Sequence, residues 1–180
     1  HDLSLKHQEW LIKKFKNVEA HTLNLDNLFE SFENSMKKFD SDHGMANSRA
    51  RLRMTTLYQV AAANKGIVVG TGNKVEDFGV GFYTKYGDGG VDISPIADCN
   101  KTDVWEMGKE LNILKEIIDA APTDGLWDDG RTDEGQLGLK YIELEEAMNN
   151  INSSNREKYE KIRKLNLHKM EPIPVCKIPN

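Results

Sequence analysis

The segment IVVGTGNKVE (67–76) joins a short apolar run to a turn that contains glycine. Such a β-branched run, bounded by Gly66 and Gly70, is typical of a fully buried strand in a parallel sheet. Ligands of open α/β sheets bind beyond the carboxyl ends of the strands, so this turn would lie beside a bound nucleotide. Thr71 offers a hydroxyl there, and Glu76 offers a carboxylate suited to Mg²⁺ beside phosphates. An ordinary strand-to-helix turn with Glu76 in solvent would fit the same residues.

Outward from this segment, hydrophobic periodicity predicts several helices and one more strand. We expect helices at 4–16, 26–39, 47–65, 101–112, 140–149 and 153–166, a strand at 20–26 (AHTLNLD), a polar loop at 122–135 and an extended tail from Pro172. This alternation predicts an α/β fold, with layered helices around a parallel sheet. Two strands are too few for a stable sheet. We therefore expect a single domain, 1–180, that lacks an N-terminal strand and helix.

Composition excludes several classes of protein. Hydrophobic residues make up 38% of the chain and charged residues 29%, which is typical of a globular protein. No apolar run reaches the roughly 20 residues of a membrane span, and HDLSLKHQEW is no secretory signal. The net charge of −5 gives no reason to expect nucleic-acid binding. The distant Cys99 and Cys176 suit reduced thiols, which predicts a cytoplasmic protein without membrane contact.

The segment TKYGDGGVD (84–92) has three glycines among nine residues. Because glycine costs backbone entropy, such a density predicts either positive φ angles or a close approach to a partner. Lys85 could meet an anion here, and Asp88 or Asp92 could meet a ribose hydroxyl. A flexible surface loop would explain the pattern equally well.

Basic residues elsewhere give weaker signals. Arg49 and Arg53 share one face of the predicted helix, whereas Arg51 points roughly the other way, since two residues span about 200° of helical rotation. Arginine binds carboxylates and phosphates through paired hydrogen bonds, but a solvated basic face has the same pattern. Lys101 is the first residue of a predicted helix, a position that phosphate-binding lysines and exposed lysines both occupy. The dipeptide His168-Lys169 does not by itself indicate a binding site.

The order and spacing of these pieces resemble the ammonia-dependent NAD synthetases of the ATP pyrophosphatase superfamily. The shared series runs from N-x-x-A-R-x-R-M at 47–54 to H-K at 168–169, with the 84–92 block and the Pro122-Thr123 acidic loop as its most specific parts. The resemblance implies a Rossmann-like fold of the adenine nucleotide α-hydrolase type. It also implies a homodimer.

The same resemblance implies a reaction and a site. Such enzymes use ATP and Mg²⁺ to adenylate the nicotinate carboxylate of deamido-NAD, and ammonia then displaces AMP. Carried over by position, ATP would contact Thr71, Lys101 and Thr123, Mg²⁺ would bind Glu76, and deamido-NAD would contact Arg51, Lys85, Asp92, His168 and Lys169, with 167–180 as a substrate-binding tail. No residue is assigned as a nucleophile or base, because catalysis would rest on neutralising charge on the phosphates.

The chain also departs from the family pattern. The S-G-G-x-D-S loop that cradles pyrophosphate is absent from the 180 residues, together with its metal-binding aspartate. The stretch after Glu76 looks one residue longer than usual, which leaves Asp77 as an alternative metal ligand. Another synthetase of the superfamily, or a non-catalytic nucleotide-binding or dimerisation module, remains possible. Glutamine use would need an additional amidase domain.

Overall fold

The computed structural model describes residues 2–127 and 129–178. Its helices are α1 (Asp2–Lys14), α2 (Asp26–Met36), a 3₁₀ turn (Lys37–Phe39), α3 (Asp42–Ala63), a π-helix (Val75–Val80), α4 (Lys101–Glu110), α5 (Lys115–Ile118), α6 (Asp133–Leu137), α7 (Tyr141–Asn149) and α8 (Arg156–Met170). The six predicted helices are thus confirmed, with shifted ends. No helix among the described residues combines the length and apolar character that crossing a membrane requires.

The ends of α3 show why its limits differ from the prediction. The helix begins five residues earlier because Ser41 caps it, accepting a hydrogen bond from the Gly44 backbone N–H at 3.3 Å. At the other end the helix stops at Ala63, and Lys65, with φ 54°, takes the left-handed conformation just before Gly66. The Gly66 N–H then bonds to the Ala61 carbonyl at 2.8 Å, which closes the helix.

The two predicted strands are wrong as regular strands. Residues 20–26 are irregular up to the start of α2 and mostly exposed, and no segment in the described part of the chain pairs with them. In 67–71, pairing within the described residues is limited to one parallel bridge between Val69 and Ile93. Val68 is buried there, but Ile67 and Val69 are 59% and 53% exposed, so one face of the segment is uncovered.

The glycine-rich segment owes its shape to close packing. The positive φ in this segment falls on Tyr86, at 66°, and not on a glycine. A Cβ on Gly87 would lie 2.9 Å from the Ala50 side chain, and one on Gly89 would lie 2.2 Å from the Tyr83 ring. The predicted close approach is therefore to the protein's own residues.

The main core cluster lies between the π-helix, α7 and α8. Its buried members are Val75, Val80, Leu137, Leu139, Tyr141, Leu144, Ala147 and Tyr159. Helices α1 and α2, by contrast, contain no buried residue. Phe39, which the helical spacing placed on the apolar stripe of the predicted helix 26–39, lies beyond the end of α2 and is 73% exposed.

Two predicted loop segments are also revised. The polar loop 122–135 ends in α6, which begins at Asp133 because Thr132 accepts a hydrogen bond from the Gly135 N–H at 3.1 Å. Its Asp128 lies outside the described residues. Of the predicted tail 167–180, residues 167–170 complete α8, residues 171–178 are irregular and exposed, and the last two lie outside the described residues.

Candidate active site

Four side chains from distant parts of the sequence meet beside the π-helix, and we call them the carboxylate cluster: Glu76, Lys101, Asp133 and Tyr141. The Lys101 Nζ lies 3.0 Å from Glu76 Oε1, and both side chains are largely shielded from solvent. The Tyr141 hydroxyl donates to the same Glu76 oxygen at 2.5 Å and lies 3.2 Å from Asp133 Oδ2. The Lys101 Nζ also lies 4.8 Å from the centre of the Tyr141 ring.

Local structure fixes Glu76 within this cluster. The buried Asn73 caps the π-helix, because its Oδ1 accepts hydrogen bonds from the backbone N–H groups of Val75 and Glu76 at 3.0 and 3.1 Å. A π-helix inside a chain frequently marks a functional site, since its extra residue re-aims a side chain. Here it turns Glu76 toward Lys101.

Lys101 is held through the start of α4. Glu145 of α7 accepts from the Thr102 backbone N–H at 3.0 Å and from the Thr102 hydroxyl at 2.7 Å. A carboxylate at this position stabilises the N-terminus of α4, because its negative charge faces the positive end of the helix dipole, and it also links α4 to α7. Because Lys101 and Tyr141 are the first residues of those two helices, this contact also sets the spacing between their side chains.

The surroundings raise the pKa of two members of the cluster, Tyr141 and Asp133. Burial raises the pKa of Tyr141, and the nearby Glu76 and Asp133 raise it further, so the hydroxyl keeps its proton. Burial also raises the pKa of Asp133, against the lowering effect of the Tyr141 hydrogen bond. Among the residues that the structure describes, the Oδ1 atom of Asp133 is buried without a hydrogen-bond partner. That unsatisfied oxygen is a free position for a proton or a cation.

The cluster fits a metal ion whose other ligands are phosphate oxygens and water molecules. Within the described part of the chain, no group of three or more His, Cys, Asp or Glu side chains converges. Mg²⁺ bound to phosphates nevertheless needs just one or two protein carboxylates. Glu76 and Asp133 can supply those two oxygens, whereas Asp77, the alternative ligand, lies over Gly72, where an added Cβ would be 2.2 Å from its carboxylate.

Three predicted residues, Lys85, His168 and Lys169, meet where α8 packs against the segment that follows the π-helix. Together with Gly81 and Tyr83, which were not predicted, they form what we call the α8 contact region. The Lys85 Nζ donates to the His168 carbonyl at 2.7 Å. The Lys169 Nζ donates to the carbonyls of Gly81 and Tyr83, both at 2.8 Å. In turn, the Tyr83 hydroxyl donates a hydrogen bond to the Lys169 carbonyl at 2.6 Å. Burial lowers the pKa of Lys169, which the nearby Asp88 partly offsets.

The arginines of α3 face two directions, as the helical spacing predicts. Arg53 donates to the Gly125 carbonyl at 3.2 Å, and Arg49 donates to the Leu126 carbonyl at the same distance. Arg51 points instead to the Lys85 carbonyl, also at 3.2 Å. Arg51 therefore joins the α8 contact region, whereas Arg49 and Arg53 hold the loop before α6.

Three predicted site residues are not gathered into either group. Thr71 is exposed and lines a cavity of about 320 Å³ beside α3. Thr123 is exposed, and its neighbour Pro122 accepts a hydrogen bond from the Asp133 N–H at 3.0 Å. Asp92 accepts from the Val68 N–H at 2.7 Å. In this arrangement the Asp92 carboxylate links segment 84–92 to segment 67–71. Its role in binding substrate stays a prediction.

Several cavities are lined by residues of the glycine-rich segment 84–92. Asp88 lines three of them, with volumes of about 230, 320 and 180 Å³. Burial raises the pKa of Asp88, while hydrogen bonding to backbone N–H groups and the nearby Lys169 lower it. Lys169 lines the first and third of these cavities, so the α8 contact region opens into them.

Asp133, Tyr141 and Glu145 were not identified from the sequence. Tyr141 and Glu145 lie within a helix whose apolar periodicity explains them as core and surface positions. The acidic pair Asp133-Glu134 was noted as part of a loop, without a role for either residue. A search for polar residues at the starts of helices would have drawn attention to Tyr141, which directly follows the helix cap Lys140.

Comparisons with known proteins agree on one family. The family model for NAD synthase matches residues 1–178. Over 165 residues the chain is 41% identical to the NH₃-dependent NAD⁺ synthetase of Alkaliphilus oremlandii, covering 90% of this chain and 62% of that protein. Over 139 residues it is 40% identical to the enzyme of the same name from Carboxydothermus hydrogenoformans, covering 75% and 56%. The chain thus spans little more than half the length of these curated relatives.

Solved structures show the same fold. The structure of an NMN synthetase from Francisella tularensis superposes with a TM-score of 0.86 and 32% identity, covering 100% of this chain and 74% of that one. An NH₃-dependent NAD synthetase from Campylobacter jejuni gives a TM-score of 0.68 at 20% identity, which is evidence for the fold alone. With a family model matching residues 1–178, this chain belongs to the NAD synthase family.

Proposed function

We propose that the protein containing this chain amidates deamido-NAD to NAD with ATP and ammonia. The observation that carries the proposal is the shielded pair of Glu76 and Lys101, 3.0 Å apart, in a chain about 40% identical to ammonia-dependent NAD synthetases. In such a pair each charge neutralises the other until a polyphosphate and its Mg²⁺ arrive. Lys101 would then bind phosphate oxygens, and Glu76, supported by Asp133, would hold the metal.

The chemistry needs charge neutralisation more than a protein nucleophile. An oxygen of the nicotinate carboxylate attacks the α-phosphorus of ATP, which releases pyrophosphate and gives the acyl adenylate. Ammonia then attacks the acyl carbon, AMP leaves, and one proton is released. Mg²⁺ would supply Lewis-acid stabilisation of the phosphate oxygens. Lys101 would offset the negative charge on the leaving pyrophosphate, which is an electrostatic contribution to the transition state.

The α8 contact region would hold the acid substrate. Lys85 and Lys169 each retain free donors beyond their backbone bonds, since an ammonium group has three N–H donors. Arg51 lies next to Lys85, because its Nε donates a hydrogen bond to the Lys85 backbone carbonyl at 3.2 Å. We expect these three cations to contact the phosphates and carboxylate of the dinucleotide. We assign Asp92 to a ribose and retain His168 as a contact of the same substrate, while Thr71 and Thr123 would contact ATP.

A second candidate is amidation of nicotinate mononucleotide. It is favoured by the likeness to the Francisella structure, whose protein is called an NMN synthetase. The test supplies deamido-NAD and nicotinate mononucleotide separately, each with ATP, Mg²⁺ and ammonium, to the protein encoded by the complete reading frame. Equimolar NAD and AMP from the dinucleotide, at a higher kcat/KM, support the proposal. A higher kcat/KM for the mononucleotide would support the second candidate, and no AMP from either would refute both.

Among the described residues 67–71 pairs on one side only, through the bridge of Val69 to Ile93, and its unpaired edge favours an α/β sheet that extends beyond this segment. Ile67, Val69 and Ile93 are 59%, 53% and 45% exposed beside a parallel bridge. We propose that a strand outside the 180 residues, carrying the S-G-G-x-D-S loop, pairs with this edge. The 180 residues alone should then aggregate and release no AMP, because exposed strand edges associate and the pyrophosphate cradle is missing. AMP release by this segment alone would contradict the proposal.

We also propose a homodimer, because α1 and α2 bury no residue within one chain. Phe29 and Phe32 stack at 6.4 Å between ring centres, and Leu28 and Phe39 are 49% and 73% exposed. A second copy would cover this apolar surface. Light scattering of the complete protein at micromolar concentration should give twice the monomer mass, and a monomer would refute the proposal.

A further inference from the structure

Tyr141 contacts Glu76 and Lys101 of the carboxylate cluster from inside the core. Its side chain is fully buried, its hydroxyl donates to Glu76 at 2.5 Å, and its ring lies 4.8 Å from the Lys101 Nζ. The ring is itself fixed by an edge contact with Trp105, with 6.1 Å between the ring centres. One rigid aromatic group therefore touches the carboxylate and the ammonium together.

We propose that Tyr141 is a positioning residue, which holds Glu76 and Lys101 in the arrangement that receives ATP and its metal. The proposal rests on the function proposed above and adds a residue that the sequence resemblance did not assign. Tyr141 would not touch the reacting atoms. It would act through Glu76 by its hydroxyl and through Lys101 by its ring.

The partners of the hydroxyl distinguish this role from ordinary core packing. Its hydrogen-bond partners among the described residues are two carboxylates, Glu76 and Asp133. Tyr83 shows the structural alternative, because its hydroxyl bonds to a backbone carbonyl, that of Lys169. Phenylalanine would fill the space of Tyr141 equally well, so packing alone does not require the hydroxyl.

Preorganisation explains why such a contact matters. Glutamate and lysine side chains have many rotamers, and fixing them before the ligand arrives removes part of the entropic cost of binding. Groups that orient metal or phosphate ligands typically change affinity or activity about 10–100-fold when removed. The Tyr141 hydroxyl is such a group for Glu76.

The test compares Tyr141→Phe with Tyr159→Phe in the protein encoded by the complete reading frame. Tyr159 is a matched control, since it is 3% exposed, belongs to the same core cluster, and among the described residues its hydroxyl interacts with Arg163 rather than with Glu76, Lys101 or Asp133. For Tyr141→Phe we expect about a 10–100-fold loss in kcat/KM for Mg·ATP and a higher Mg²⁺ concentration at half-activation. The KM for deamido-NAD should not change.

A binding readout separates this proposal from the proposed function. The rise in Tm caused by Mg²⁺ with ATP should shrink in Tyr141→Phe and stay at the wild-type size in Tyr159→Phe. Equal Mg·ATP shifts and equal kcat/KM values in the two variants would overturn the positioning role. A wild type that binds Mg·ATP but makes no amide would refute the proposed function, and the Tm comparison would still test Tyr141.

A double variant tests whether Tyr141 acts through Glu76. Glu76→Asp shortens the side chain and withdraws the carboxylate from the hydroxyl. If Tyr141 positions Glu76, the loss in kcat/KM of the double variant should be close to that of the worse single variant. If the fold-loss in kcat/KM of the double variant equalled the product of the two single losses, the two residues would act independently. That result would overturn the proposal even if Tyr141→Phe were less stable.

Discussion

The carboxylate cluster and the α8 contact region use opposite kinds of contact. In the cluster, side chains meet side chains, as in the 3.0 Å pair of Glu76 and Lys101. In the α8 contact region, side chains meet backbone, as in the bonds from Lys169 to two carbonyls at 2.8 Å. The first arrangement depends on four residues. The second depends on where the backbone places its carbonyl groups.

This difference predicts how each region responds to mutation. Replacing a cluster residue leaves the backbone in place, so chemistry should suffer more than folding. Replacing a residue of the α8 contact region leaves backbone carbonyls without donors, and a buried unsatisfied group costs about 1–3 kcal/mol. Folding and substrate binding should therefore change together there. The four predictions that follow test this contrast, from the largest expected effect to the smallest.

The largest effect is expected for Lys101→Met. The substitution keeps the length of the side chain but removes the cation proposed to meet the phosphates, so the rate of AMP release should fall about 10²–10³-fold. Lys109→Met is the control, because Lys109 lies on the same helix and pairs with Glu106 at the exposed surface. A loss of activity that is equal in both variants would remove Lys101 from the site.

The helices could be predicted from sequence because their signals are local. For α4, Lys101–Glu110, the predicted range 101–112 overran the end by two residues. The strand 20–26 could not be judged this way, since alternation does not show whether a partner strand exists. The same limit applies to 67–71, where burial of one face depends on distant residues.

The site was predicted in part for a related reason. The family pattern identified Glu76 and Lys101, although nothing in their spacing shows that they meet. Tyr141 was missed because apolar periodicity explains a buried tyrosine without reference to its hydroxyl. A long-range contact between 76 and 141 leaves no trace in one sequence.

The second prediction concerns Gly81, where α8 approaches the chain most closely. Gly81 has φ 65°, and an added Cβ would lie 2.7 Å from the Asn166 Cβ. Gly81→Ala should therefore lower the free energy of unfolding by about 2–3 kcal/mol, from backbone strain and overpacking together. Gly130→Ala has a similar φ of 70° with nothing within 4 Å of the added Cβ, so it isolates the strain alone. Equal losses in urea denaturation would show that α8 packing does not matter.

The third prediction is Lys169→Met, which tests whether folding and binding change together. Removing the ammonium leaves the carbonyls of Gly81 and Tyr83 without this donor, so the free energy of unfolding should fall by about 1–2 kcal/mol. The KM for deamido-NAD should rise, while kcat changes less. Lys164→Met, at an exposed position of α8, should alter neither quantity. A normal KM in Lys169→Met would remove this residue from the substrate site.

The smallest effect is expected at Asp77, which lies between the two regions. It is next to Glu76 on the π-helix and lines the 180 Å³ cavity together with Lys169. Burial raises the pKa of Asp77 from 3.8 to about 6, with further contributions from Glu76 and Asp88. The folded protein therefore holds a proton on this carboxyl more tightly than the unfolded chain does.

The sign of the pH dependence follows from that difference. Between about pH 4 and pH 6 the folded state binds more protons at Asp77, so its contribution to stability falls as pH rises and stays low above pH 6. Asp77→Asn should then raise the Tm of the metal-free protein at pH 7.5, and the gain should disappear near pH 4. Glu116→Gln is a control of opposite sign, because hydrogen bonding to its own backbone N–H and the nearby Lys6 lower the pKa of Glu116. That variant should lose Tm slightly at pH 7.5 and not at low pH. If Asp77→Asn instead lowered the Tm at pH 7.5, the carboxylate would be a stabilising partner of the α8 contact region, and the contrast between the two regions would be weaker than their contacts indicate.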